Sequence, residues 1–259
     1  MERSSVMVTG ASSGIGLEIA RIAAAEGNNV ILVARTAQKL EELAAALRRE
    51  HGVDAHVVAC DLSQAGAAGG LAALLEERGL RVDVLVNNAG FGDSGEFLAL
   101  SEERQRRMIR LNVEELTSLT RLLLARMRER GTGAVLNVAS TAAFQPGPGM
   151  AVYYATKAYV LYFTEALHEE LLGTGLRVTC LCPGPTETGF AAEANAQGSL
   201  LFRLGAGSAR DVALAGWKGL ARNEAVVIPG LMNKLLAFST RFAPRAANRK
   251  IVMRLHAKA

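Results

Sequence analysis

The chain has few of the residues that staple small or extracellular proteins. Among 259 residues there are three cysteines, Cys60, Cys180 and Cys182, with no Cys-x-x-Cys pair. We therefore predict neither a disulfide framework nor a metal site. The same scarcity of cysteine predicts a reducing, cytoplasmic compartment. The first residues lack the apolar run of a secretory signal, and no uninterrupted apolar stretch approaches the ~18 residues of a membrane span. We therefore expect neither a secretory signal nor a membrane-spanning helix.

Acidic residues are also missing from the last part of the chain. After Glu224 there is none, while seven basic residues follow, so this part carries +7. The net charge of the whole chain is +4, which leaves −3 for residues 1–224. The positive charge thus belongs to a basic C-terminal extension, about 231–259, and not to the main body. A nucleic-acid-binding protein is not predicted.

Hydrophobic residues make up 50% of the chain and are arranged in two alternating patterns. Nearly continuous apolar runs are typical of strands that are covered on both faces, and segments of helical period lie between them. This alternation predicts an α/β fold with a doubly wound parallel sheet. We expect strands at 6–10, 30–34, 56–60, 82–87, 133–140, 176–182 and 225–229. We expect helices at 14–26, 37–49, 66–78, 102–130, 152–172 and 209–221.

A glycine-rich turn joins the first strand to the first helix. Gly10, Gly14 and Gly16 permit a tight turn, and they let backbone N–H groups approach a pyrophosphate at the helix N-terminus. Ser12, Ser13 and Ile15 lie in the same turn. Taken alone, the glycines fit an ordinary strand–helix turn equally well.

The end of the second strand indicates which dinucleotide is bound. Arg35 stands where an acidic residue would bind the ribose of NAD, and a guanidinium suits the 2′-phosphate of NADP. No Asp or Glu lies between Gly27 and Leu40. We therefore predict NADP, with possible further contacts from Ser12, Ser13, Thr36 and Lys39. The alternative is that Arg35 only caps a helix or lies in solvent.

Two further strand ends are candidates for the same site. Asp61 can accept a hydrogen bond from an adenine amino group while Leu62 packs on the ring. Equally, Asp61 or Ser63 can be a helix N-cap. Asn88, Ala89 and Gly90 would let a cofactor lie close to the backbone, although they also fit a plain Asn/Gly turn.

A tyrosine and a lysine, Tyr153 and Lys157, are four residues apart in a predicted helix and so share one face. A nearby ammonium favours the phenolate, so we expect Lys157 to lower the pKa of Tyr153 and make it a general acid and base. Ser140 can stabilise an oxyanion, with Thr141 as a competitor. Asn112 can hold a water that relays protons through Lys157. Each of these residues also has an ordinary structural explanation.

Together, TGASSGIG, NNAG, Asn112, Ser140 and Tyr153-x3-Lys157 resemble the short-chain dehydrogenase/reductase family over roughly residues 4–190. The resemblance implies a single Rossmann-type domain over 1–259 with about seven parallel strands and hydride transfer between a nicotinamide and a carbonyl or alcohol. It implies a catalytic tetrad of Asn112, Ser140, Tyr153 and Lys157. It also implies that subunits pair through the helices 102–130 and 152–172 in a homodimer or homotetramer. The nicotinamide carboxamide would be held by Pro183, Gly184, Thr186 and Thr188.

The substrate is less clearly indicated. A loop at about 185–208 contains Phe190, Leu200, Leu201 and Phe202, together with Glu193 and Arg203, and the segment Phe91–Phe97 is a candidate for the opposite wall. These apolar residues favour a hydrophobic carbonyl compound, but packing on neighbouring helices explains them equally well. A non-catalytic NADP-binding sensor of the same fold is the alternative function, and the retained Tyr153 and Lys157 argue against it.

The basic C-terminal extension contains an apolar stripe formed by Leu235, Leu236, Phe238 and Phe242. Core packing with a solvated cationic face is the favoured interpretation. A subunit contact and docking on an anionic membrane surface are the alternatives.

Overall fold

The computed structural model describes residues 3–197 and 206–256, and it confirms the predicted α/β fold. The described residues form one sheet of seven parallel strands in the order β3-β2-β1-β4-β5-β6-β7. The strands are β1 Ser5–Thr9, β2 Asn29–Ala34, β3 Ala55–Ala59, β4 Val84–Asn87, β5 Gly133–Val138, β6 Leu176–Leu181 and β7 Val226–Val227. The predicted seventh strand, 225–229, is shorter than expected.

Helices cover both faces of this sheet. The helices are α1 Gly14–Ala25, α2 Ala37–His51, α3 Ala67–Glu77, α4 Glu102–Ile109, α5 Leu116–Glu129, α6 Ala151–Glu170, α7 Phe190–Glu193, α8 Ala209–Ala221, α9 Leu231–Ser239 and α10 Arg245–His256. One apolar core lies between the sheet and α1, α2 and α8, and a second lies beneath α3 and α5. Because both faces are buried, the strands are apolar throughout and do not alternate.

The predicted helix 102–130 is interrupted, which the sequence analysis did not anticipate. Residues Arg110–Glu115 form a π-helical segment between α4 and α5. This segment buries two polar side chains, Asn112 and Glu115. Glu115 accepts hydrogen bonds from the backbone N–H groups of Gly66 and Ala68 at the start of α3, at 2.8 and 2.6 Å. The π-helical turn thus buries two polar side chains within a stretch that the sequence predicts to be a regular amphipathic helix.

The predicted packing of the C-terminal stripe is wrong. Leu235, Leu236, Phe238 and Phe242 are between 54% and 75% exposed. The inward positions of α9 are taken instead by Asn233 and Ala237, and Ala237 is buried. None of the helices among the described residues has the length and hydropathy that a bilayer span requires.

Candidate active site

A cleft of about 470 Å³ opens where the strands end. The carboxyl ends of β1, β2, β4, β5 and β6 converge there because all the strands are parallel. Most of the predicted site residues line this cleft: Gly10, Ser12, Ser13, Ile15, Arg35, Asp61, Leu62, Asn88, Ala89, Gly90, Ser140, Tyr153, Lys157, Pro183, Gly184, Thr186 and Thr188. Gly14, Gly16 and Asn112 are not among the residues that line it.

The glycine turn is required by close backbone packing. Gly10 has a φ of +67°, and a Cβ at Gly16 would lie 2.5 Å from the carbonyl oxygen of Gly10. The side chain of Asn88 bridges the loops by donating from Nδ2 to the carbonyl oxygen of Thr9 at 2.9 Å. Thr9 in turn accepts from the backbone N–H groups of Asn88 and Ala89, both at 3.0 Å. These bonds fix the ends of β1 and β4 against each other.

The start of α1 is suited to an anion. Its N-cap residue, Ser13, makes no side-chain capping bond, and the first turn contains no acidic residue. The helix N-terminus therefore offers backbone N–H groups and a partial positive charge to the cleft. Arg35 and Thr36 line the same end of the cleft, and Arg35 is exposed and in no ion pair with another described residue. These residues fit a phosphorylated dinucleotide, whereas Lys39 is not among the lining residues.

Asp61 caps a turn and not a helix. Its Oδ1 accepts from the backbone N–H and hydroxyl of Ser63 at 3.0 and 2.7 Å, and its Oδ2 accepts from Gln64 and Arg107 at 3.1 and 3.2 Å. Helix α3 starts later and is capped by Gly66. Burial alone would raise the pKa of Asp61, but these hydrogen bonds and the Arg107 charge lower it below its usual value. The carboxylate is thus ionised and fixed at the cleft wall.

Tyr153 and Lys157 face the cleft together from the first turns of α6. Both side chains are almost fully buried, at 8% and 5% exposure. The Lys157 Nζ donates to the carbonyl oxygen of Val138 at 2.8 Å, and it lies 5.9 Å from the centroid of the Tyr153 ring. The lysine is therefore anchored to the end of β5, with its charge beside the tyrosine.

Burial is the largest influence on the pKa of both groups. It raises the pKa of Tyr153 to about 12, and the hydrogen bond with Ser140 opposes that shift only in part. Burial also lowers the pKa of Lys157 to about 8. The pKa of Tyr153 is therefore raised and not lowered as the sequence predicts, because burial is the largest influence on it. At neutral pH the phenol keeps its proton.

Ser140 and Asn112 occupy different layers of the site. Ser140 lines the cleft, where its hydroxyl accepts from the backbone N–H of Ala142 at 3.1 Å and lies 3.4 Å from the carbonyl oxygen of Pro183. Asn112 is buried in the π-helical segment and holds the loop after β4. It donates to the carbonyl oxygen of Phe91 at 3.0 Å and to the Thr156 hydroxyl at 3.1 Å.

Gly90 shows how closely Asn112 and Lys157 approach each other. A Cβ at Gly90 would lie 3.1 Å from Asn112 Oδ1 and 3.4 Å from Lys157 Nζ. Asn112 is thus neither a surface residue nor a cleft-lining one, but it supports the backbone against which Lys157 rests.

Aromatic and sulfur-containing side chains form the other end of the cleft, which we call the substrate end. The ring centroids of Tyr153 and Phe190 are 5.2 Å apart, and Tyr154 meets Tyr153 edge to face. The predicted walls at Phe91 and Phe190 are both present, whereas Phe97 is 56% exposed. Sequence reasoning missed Gln145 and Met150, which carry no motif. Leu200, Leu201, Phe202 and Arg203 lie outside the described residues.

An ionic cluster behind the substrate end was also missed. Asp93 is buried, and its Oδ2 lies 3.2 Å from Arg104 Nε, close enough for an ion pair but not aligned as a hydrogen bond. The Arg104 guanidinium also lies 5.0 Å above the ring of Phe91 and reaches Glu193 at the end of α7. Arg104 therefore connects both walls of the substrate end. Residues so far apart in sequence gave no common signal.

Comparisons with known proteins agree with this geometry. The family described as short chain dehydrogenase matches residues 4–199. A Streptomyces coelicolor protein assigned as a ketoacyl reductase is 42% identical over 188 residues, which cover 72% of each chain.

Two solved structures are similar over most of their length. A short-chain dehydrogenase from Sphingobium yanoikuyae in complex with NADPH is 34% identical, with a TM-score of 0.83 over 92% of this chain and 93% of that one. A 3-ketoacyl-(acyl-carrier-protein) reductase from Brucella melitensis complexed with NADH is 30% identical, with a TM-score of 0.76 over 88% and 97%. The two neighbours thus hold different dinucleotides.

Proposed function

The chain belongs to the short-chain dehydrogenase family, and we propose that it is an NADPH-dependent reductase of a hydrophobic carbonyl compound. Family membership makes it an oxidoreductase that acts on carbonyl or alcohol groups with a nicotinamide cofactor. The choice of NADPH, the direction of the reaction, the class of substrate and the roles of individual residues are the proposal. The observation that carries it is the burial of Tyr153 and Lys157 side by side in a cleft that Ser140 also lines.

The preference for NADPH rests on charge at the nucleotide end of the cleft. Arg35 is free of ion pairs with other described residues, and a guanidinium matches a phosphate in charge and geometry. Ser12, Ser13 and the N-terminus of α1 supply further donors for phosphate groups. Because related proteins use either dinucleotide, this preference is decided by the local residues and not by the fold.

The chemistry divides between the cofactor and the protein. When bound, the reduced nicotinamide supplies a hydride to the carbonyl carbon. The hydroxyl groups of Ser140 and Tyr153 bind the carbonyl oxygen, and Tyr153 donates its proton to that oxygen. Lys157 stabilises the phenolate that remains, and Asn112 maintains the loop against which Lys157 is packed. Thr186 and Thr188, with Pro183 and Gly184, would hold the nicotinamide end.

The electrostatics of the site favour reduction. A phenol whose pKa is about 12 holds its proton at neutral pH, which suits a proton donor. The reverse reaction requires the phenolate, and burial makes that form costly. The catalytic direction proposed here is therefore from carbonyl to alcohol.

A hydrophobic substrate is proposed because the substrate end is lined by Phe91, Met150, Tyr154 and Phe190. Burial of apolar substrate surface against such side chains contributes ~25 cal/mol per Å². The resemblance to ketoacyl reductases supports the same class, since an acyl chain would occupy this end.

The decisive experiment substitutes Tyr153 by Phe and measures NADPH oxidation across ketones, quinones, oxoacyl thioesters and steroids. We expect NADPH binding to persist while turnover falls by ~10³-fold or more, since one hydroxyl supplies both the proton and a hydrogen bond to the oxyanion. Tyr154→Phe is the matched control and should keep at least part of the activity. If Tyr153→Phe reduces any good carbonyl substrate as fast as the wild type, the assigned role is wrong.

A non-catalytic NADP-binding sensor is the alternative function. It predicts tight NADPH binding with no turnover on any member of the screen, and the same result for wild type and Tyr153→Phe. The tyrosine–lysine pair, buried side by side at the cleft, argues for the enzyme, because a sensor has no need of a proton donor there.

We also propose a homodimer or homotetramer. The helices expected to pair subunits carry large apolar side chains that are exposed to solvent: Ile109 is 47% exposed, Leu122 39% and Tyr162 68%. Light scattering on the purified chain tests this, and a monomer at all concentrations would contradict it.

A further inference from the structure

The C-terminal helices α9 and α10 present an outward surface that is both apolar and cationic, which we call the cationic cap. Its apolar members are between 54% and 75% exposed: Leu231, Met232, Leu235, Leu236, Phe238 and Phe242. Its basic members are all exposed: Lys234, Arg241, Arg245, Arg249, Lys250 and Arg254. Soluble monomers rarely expose so many large apolar side chains together.

The exposure is not the result of helices that fail to pack. The inner face of α9 buries Ala237, and Asn233 donates to the carbonyl oxygen of Pro229 at 2.8 Å. The inner face of α10 buries Val252 at 1% exposure and Asn248 at 8%. Both helices are therefore docked, and their outer apolar side chains point away from the core.

The charge of the cationic cap is of one sign. No acidic residue follows Glu224, and none of the six basic side chains forms an ion pair with another described residue. Basic side chains beside exposed Leu and Phe match an anionic bilayer, where phosphates meet the cations and the apolar side chains enter the acyl boundary. A second copy related by a two-fold axis would instead bring its six cations against these six, and like charges repel.

We propose that the cationic cap docks this protein on the surface of a membrane that contains anionic lipid. The cap adjoins the substrate end of the cleft. Val252 of α10 belongs to the same apolar cluster as Met150, Tyr153 and Tyr154, and the Asn233 side chain packs against Gly184. Docking would thus hold the substrate end near lipid, where a hydrophobic carbonyl compound accumulates. Only this last consequence rests on the proposed function.

The test is flotation of the full chain with vesicles of pure phosphatidylcholine or with about 30% phosphatidylglycerol added. We expect binding to the anionic vesicles, little to the neutral ones, and release when salt is raised from ~0.05 to ~0.5 M, which shortens the Debye length. Lys250→Glu combined with Arg254→Glu should weaken binding by ~600-fold, because each cation near the surface contributes about a fivefold factor and the reversal of its charge applies that factor twice.

The matched control is Arg49→Glu combined with Lys218→Glu. It changes the net charge by the same amount at exposed sites on α2 and α8, and its vesicle binding should stay within twofold of wild type. Circular dichroism and NADPH titration confirm that each variant is folded. The comparison of neutral with anionic vesicles uses the wild type alone. The proposal can therefore be contradicted even if a variant fails to fold.

Two results would overturn the proposal. One is a wild type that ignores anionic vesicles, or binds both kinds equally at high salt. The other is a concentration-dependent dimer in analytical ultracentrifugation that the Lys250→Glu and Arg254→Glu pair abolishes without any vesicle binding, which would assign the cap to a second copy. Vesicle binding is measured without turnover, so a failure of docking and a failure of the proposed reaction are distinguishable.

Discussion

The two ends of the cleft are held in place by different kinds of interaction. At the nucleotide end, backbone contacts decide the geometry: Gly16 packs on the carbonyl of Gly10, and Asn88 bonds the backbone of Thr9. At the substrate end, side chains from distant segments decide it, as Arg104 joins Asp93 to Glu193. A backbone-built end tolerates few changes, whereas an end built from side chains can be altered by single substitutions. Cofactor binding and substrate choice should therefore be separable by substitution.

Lys157 lies between the two ends, so its substitution should have the largest effect. We expect Lys157→Met to lower turnover by ~10³-fold, because the phenolate of Tyr153 loses its neighbouring charge. NADPH affinity should fall as well, which no change confined to one end should reproduce. Initial rates and calorimetric titration measure the two effects. A variant that keeps wild-type turnover would remove Lys157 from the mechanism.

The same substitution has a distinctive effect on stability. The pKa of Lys157 is about 8 in the folded chain and 10.5 in the reference state, so the unfolded state binds more protons between these values. Wild-type stability therefore gains with rising pH from this group, by about 2 kcal/mol between pH 7 and 9.5, and the cost of burial is fully present below pH 8. Lys157→Met lacks this gain.

Urea unfolding at pH 7 and 9.5 measures this difference. The free energy of unfolding of Lys157→Met minus that of wild type should shrink by about 2 kcal/mol across the range. The exposed Lys218→Met is the control and should stay parallel to wild type. Parallel behaviour of Lys157→Met would mean that the lysine is not buried as the structure has it.

Arg35 tests the nucleotide end alone. Arg35→Asp removes a phosphate partner and adds a repelling charge, so NADPH affinity should fall by ~100-fold. NADH affinity should be retained, and the KM of the carbonyl substrate at saturating cofactor should not change. Calorimetric titration with each dinucleotide measures this, with Arg49→Asp as the control. An unchanged ratio of NADPH to NADH affinity would contradict the assignment.

The two ends also differ in how far the sequence predicts them. The nucleotide end consists of strand ends and short turns, and local signals such as the glycine spacing and Arg35 identify segments that line the cleft. The Arg104 cluster joins Arg104 to Glu193, 89 positions away along the chain, which no local pattern encodes. The burial of Tyr153 and Lys157 could not be predicted from the sequence either. The spacing of Tyr153 and Lys157 predicts their proximity, but the sign of the Tyr153 pKa shift depends on how dry the site is.

The C-terminal extension shows the same limit in another form. Helical periodicity identifies the stripe at Leu235 and Phe242, but it does not say which side faces the core. The inner positions are held by Asn233 and Ala237, a short polar residue and a small apolar one, so the larger side chains point outward. Hydrophobicity alone favours the opposite orientation.

Arg104 tests the substrate end, where the effect on activity should be smallest. Arg104→Gln leaves the buried carboxylate of Asp93 without its cation, which costs about 3 kcal/mol of stability. Both walls then lose a shared contact, so we expect KM for a bulky substrate to rise by ~10-fold, the scale of one lost contact of about 1.4 kcal/mol. NADPH affinity should be unchanged, which separates this variant from Arg35→Asp.

Two controls make the Arg104 prediction specific. Arg106→Gln removes the exposed partner of Glu102 on the same helix and should change stability by less than ~0.5 kcal/mol. Combining Arg104→Gln with Asp93→Asn removes the uncompensated charge and should recover part of the lost stability, but not the KM, because Glu193 and Phe91 remain unconnected. If the double variant also restores the KM, Arg104 acts only through Asp93 and does not position the walls of the cleft.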